Sequence, residues 1–84
     1  MSSSLFWRPP EPEGKTLSDA LKFALRDYFE GGGLHEWQTL GPRDVGFLRG
    51  LIAGSGVKSD LARDAAFLIS QIERYGHVEV AERY

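Results

Sequence analysis

The chain has no cysteine, one methionine and only two histidines in its 84 residues. Without thiols it can form neither disulfides nor thiolate metal sites. Secreted domains of this size usually need such staples, so a reducing cytoplasm is the expected compartment. Long hydrophobic runs are also missing. Nothing approaches the ~20 apolar residues of a membrane span, and residues 1–8 lack the basic stretch and apolar run of a signal peptide. Excess charge of one sign is absent too: ten Lys/Arg against twelve Asp/Glu leave a net charge of −2. No Lys/Arg cluster forms the basic face that duplex binding normally uses, so nucleic acid is a poor fit.

The hydrophobic and charged fractions, 42% and 26%, are those of an ordinary globular protein. The length suits one domain spanning residues 1–84 with one modest core. An aromatic share of 12% enlarges that core, because each buried ring removes roughly 150–250 Å² from water.

Periodicity predicts a helix over residues 58–75. Leu61, Ala65, Leu68, Ile72 and Tyr75 form its apolar stripe, with Ala62 and Ile69 on the edge and Phe67 among polar neighbours. A first helix is expected from a cap at Thr16, or alternatively Ser18, to about Glu30, with Leu17, Ala20, Leu21, Ala24, Leu25 and Tyr28 inward and Phe23 off the stripe. Gly31-Gly32-Gly33 should form a mobile turn. A second helix is expected from Pro42 to about Ala53, with Val45, Leu48, Leu51 and Ile52 inward. Strand signals lie at residues 5–8, 34–40 and 77–84. Residues 1–4 should fray, and residues 9–15, PPEPEGK, read as an extended proline-rich linker. The expected fold is a single small α+β domain: three helices on one face of a small, mainly antiparallel sheet, with N- and C-terminal strands paired.

Several motifs fall short of their chemistry. Gly54-Ser55-Gly56-Val57-Lys58-Ser59 has Val57 where a phosphate-binding loop needs glycine, and it follows a helix instead of a strand. His35-Glu36 lacks the second histidine of a zinc-protease helix. No cofactor or metal is therefore expected. A small hydrolase or transferase using His35 or His77 stays open, since triads assemble from distant residues. Gly46, Gly50 and Gly54 form a smooth ridge on the second helix, expected to pack closely against the third helix, with a partner as the alternative. Phe23 and Phe67, each set among charges, are expected to be covered by another element of the chain, with a contact surface for a partner or a second copy as the alternative. Trp7 and Trp37 are expected in the core. A base-stacking role would need neighbouring cations, and nothing basic adjoins Trp37 in sequence.

The segments Phe6-Trp7-Arg8-Pro9-Pro10, Leu17-Ser18-Asp19-Ala20-Leu21-Lys22, Leu48-Arg49-Gly50-Leu51 and Ile69 to Gly76 resemble, in this order, a group of small uncharacterised proteins of actinobacteria and their phages. The glycine triplet departs from the group's pattern. The resemblance carries no assigned activity; it implies a phage or phage-derived accessory protein.

The function expected from these readings is a small non-enzymatic protein-interaction module, a phage accessory or host-targeting factor. Its partner would be a host or phage protein, or a second copy in a homodimer. The candidate partner-binding residues are Phe23, Phe67, Arg63, Arg74, Gly46 and Gly50. The alternative is nucleic-acid binding through Arg43, Arg49, Lys58 and Arg63, opposed by Asp60 and Asp64, which would face phosphate.

Overall fold

A computed structural model of the protein describes residues 4–8, 16–30, 33–56 and 59–83. The expected linker at 9–15 lies outside these residues, as do 1–3, 31–32, 57–58 and 84. The last strand, β3 (Val78–Arg83), is the middle of a three-stranded antiparallel sheet, with β1 (Ser4–Arg8) on one side and β2 (Gln38–Leu40) on the other. The terminal segments pair as expected, from Ser4↔Arg83 to Arg8↔Glu79. Ser4, expected to fray, is the first residue of that ladder.

Strand side chains alternate between faces. The register puts Leu5, Trp7, Leu40, Val78, Val80 and Glu82 on one face, and Phe6, Arg8, Thr39, Glu79, Ala81 and Arg83 on the other. The helices α1 (Asp19–Tyr28), α2 (Val45–Ser55) and α3 (Asp60–Tyr75) supply the cover for the first face. Leu21 and Leu25 of α1, Leu48 of α2 and Leu68 of α3 are fully buried with Leu5, Leu40, Val78 and Val80. Arg26 of α1 grips the buried Glu82 carboxylate with two nitrogens, Nη2 at 2.6 Å.

Local chemistry sets the helix ends. Ser18, not Thr16, caps α1, its Oγ accepting from Leu21 N. Leu17 has already been recruited by the sheet: its N–H donates to Leu5 O at 3.0 Å and its side chain is buried. Ser59 caps α3, and Gly76 closes it in the left-handed region, φ 87°, donating to Ile72 O. The buried arc of α3 is wider than its apolar stripe, for Asp64 and Gln71 are buried as well. Asp64 does not face outward: its Oδ2 accepts from Ser18 N at 2.7 Å, tying α3 to the start of α1. Phe67 is half-buried, edge-on to Trp7 with centroids 4.7 Å apart.

The expected strand at 34–40 is shorter. Leu34 drops into the core from a 3-10 turn, Gly33–His35, and only Gln38–Leu40 finds a ladder partner on β3. The second helix begins as a 3-10 turn at Pro42–Asp44. The Asp44 carboxylate accepts from Gly41 N and from the Tyr28 hydroxyl, and the Tyr28 ring stacks on Phe47. The expected packing of Gly46, Gly50 and Gly54 against α3 is not found. All three are exposed, and a methyl group added at any of them meets no atom within 4 Å.

Gly50→Ala fills open space in a helix interior and should raise stability by about 1 kcal/mol, read from the urea midpoint. Asp64→Ala strands a backbone donor and should cost about 1–3 kcal/mol, whereas Asp64→Asn keeps an acceptor and should cost less. The phenol of Tyr28 has its pKa raised, chiefly by its hydrogen bond to Asp44, with desolvation and the carboxylate's charge adding and Arg43 opposing. A raised folded pKa stabilises fully below the unfolded value and the stabilisation is lost as pH climbs past it. Tyr28→Phe should therefore be less stable than wild type at pH 8, with the gap closing above about pH 10 in denaturation curves.

Candidate binding face

The second face of the sheet carries Phe6 and Arg8 from β1, Thr39 from β2, and Glu79, Ala81 and Arg83 from β3. Trp37, just before β2, lies among them. Arg8 stands directly opposite Glu79 in the ladder, its Nε donating to Oε1 at 3.1 Å and its Nη2 to Oε2 at 3.4 Å. The same guanidinium lies over the Trp37 ring, 4.1 Å from its centroid. Arg83 approaches that ring at 5.3 Å and is held by its Nη1, which donates to the carbonyls of His35 at 2.7 Å and Glu82 at 3.1 Å. Between these groups is a cleft of about 390 Å³, bounded by Phe6, Trp7, Arg8, Trp37 and Arg83.

Two expectations about the tryptophans divide here. Trp7 is a core residue, 3% exposed, while Trp37 is only half-buried and sits at the cleft. Trp37 also has cations on it after all. Arg8 and Arg83 are remote from it in sequence and reach it only because β3 lies between β1 and β2. The expected terminal pairing already set β1 beside β3. No local signal pointed from Trp37 to either arginine.

The residues singled out from sequence lie elsewhere and are spread over three helices. Phe23 of α1 is 54% exposed, with Lys22 Nζ and Arg26 Cζ 5.2 and 5.3 Å from its ring. Arg63 and Arg74 are exposed on α3, Arg63 beside Asp60 and Arg74 beside the Tyr75 ring. Gly46 and Gly50 are exposed on α2, and Phe67 is engaged with Trp7. Of the proposed nucleic-acid contacts, Arg43, Arg49 and Arg63 are exposed, and Lys58 lies outside the described residues. His35 and His77 are both exposed. His35 contributes its backbone carbonyl to Arg83. Among the described residues no group of three or more His, Asp or Glu side chains could hold a metal ion, and no helix is long and apolar enough to cross a membrane.

The fold and the cleft together define a small single-domain α+β protein with a helix-covered sheet face and an aromatic–arginine face. Comparison with protein-family models, curated proteins and solved structures finds no match for the chain.

The electrostatics of the cleft can be read from quenching. In Trp7→Phe, the ratio of iodide to caesium quenching of Trp37 should exceed that of N-acetyl-tryptophanamide at equal ionic strength, because the adjoining guanidinium groups attract anions. An equal or lower ratio would contradict this picture of the face.

Proposed function

We propose that this protein is a small binding module, acting without chemistry of its own, and that a partner protein docks on the aromatic–arginine face of the sheet. The observation that supports this most is the cleft beside Trp37. Antiparallel sheets commonly leave one face to water, and that face is then usually polar. Here it presents a half-exposed tryptophan, a half-exposed phenylalanine and two arginines around an apolar hollow. Tryptophan and arginine are the residue types on which binding energy concentrates at protein interfaces. A cytoplasmic location and a phage-related accessory role belong to this reading through composition and sequence resemblance alone.

Random-peptide display tests it without assuming a partner. Wild-type protein should enrich binders, and Phe6→Ala/Trp37→Ala, shown by circular dichroism to keep its fold, should lose them. Enrichment that is absent, or that is equal on the double variant, would remove the sheet face as the binding site.

A further inference from the structure

Given the binding-module reading above, we infer that the occupant of the cleft is a short acidic segment of a partner protein that inserts one aromatic side chain. Size points to a single anchor. About 390 Å³ lies at the low end of the roughly 300–1,000 Å³ typical of ligand sites. That is room for one ring between Phe6 and Trp37. Charge points to carboxylates. Arg8 already shares its guanidinium with Glu79, a full ion pair. Among the described residues Arg83 is held by two backbone carbonyls, through one of its three nitrogens. Carbonyls orient a guanidinium without cancelling its charge. Among the described residues no carboxylate pairs with Arg83, so within them its charge is not matched by a neighbour's. Its remaining N–H groups form the planar fork that grips a carboxylate with two hydrogen bonds.

A single-stranded nucleic acid would also find a ring to stack on and a cation beside it. Such strands, however, are held by a groove of cations that follows successive phosphates. The face offers two arginines, one of them neutralised, in a protein of net charge −2. A polyanion would be repelled by the molecule as a whole, whereas a peptide with one or two carboxylates near its anchor matches the local charge.

Titration of the isotopically labelled protein, followed by NMR, separates these cases. The probes are a capped Ser-Glu-Trp-Glu-Ser peptide, its Ser-Lys-Trp-Lys-Ser counterpart and oligothymidylate at physiological salt. The acidic peptide should shift the Trp37 indole N–H and the amides of β1 and β3, and should bind at least about tenfold more tightly than the basic one. Arg83→Glu should weaken it by about tenfold, and Arg83→Gln, a milder change at the strand end, by several-fold. Glu79→Gln frees Arg8 and should tighten it. Equal binding of both peptides, preference for oligothymidylate, or no binding of the acidic peptide would overturn the inference. Display binders of neutral or basic sequence that still require Trp37 would also overturn it while leaving the module reading standing; failure of display itself would strike that reading first.

Discussion

The C-terminal strand is the constraint on which the structure depends. β3 lies between β1 and β2, so both of its backbone edges are paired, and among the described residues neither neighbour pairs with a further strand, although Leu5 of β1 also bridges to Leu17. Backbone N–H and C=O groups that leave water must find partners. For β1 and β2 the ladder partners come from β3, with Leu17 adding one bond to Leu5. The helices then pack on the side where Val78, Val80 and Glu82 point, and the opposite side is fixed in the same step, because adjacent residues of a strand cannot share a face.

The two faces differ in what they contribute energetically. Each fully buried leucine or valine on the helix side adds about 1.5–3 kcal/mol, and several are present. Ser18 and Asp64, and Tyr28 and Asp44, fasten helices to one another through hydrogen bonds that stay partly out of water. On the other side, the Arg8–Glu79 pair is solvent-accessible, and such pairs are worth about 0–1 kcal/mol. Stability therefore gives a weak account of why this face holds two arginines and a tryptophan, which is part of what favours a binding role. The exposed glycines of α2 raise a similar question. They cost helix stability and relieve no crowding inside the chain.

Much of the architecture was legible in the residues. Leu68 and Ile72 announced the buried side of α3, Gly76 its end, and the alternation of Val78 and Val80 the strand that follows. The pairing of first and last segments could be anticipated because an isolated edge strand is unstable. Local propensity failed where a tertiary partner outbid it. Leu17 left the first helix for a bridge to Leu5, and Leu34 left a strand-like run for the core. Asp64 and Gln71 look like surface residues by type yet are buried. The aromatic–arginine face was the least visible, since Arg8, Trp37 and Arg83 come from three separate segments with no shared spacing.

Composition and periodicity by themselves determined an α+β domain without thiol chemistry, with three helices and strands at both ends. Those properties follow from side-chain type and from repeats of 3.6 and 2.0, which act over one or two turns of chain. Only the tertiary structure decided that Trp37 would meet Arg8 and Arg83, that Phe67 would rest on Trp7, and that the glycines of α2 would face outward. The reason is strand order. Placing β3 in the centre brings the two edge strands within side-chain reach across it, and a contact of that kind depends on the position of all three strands together.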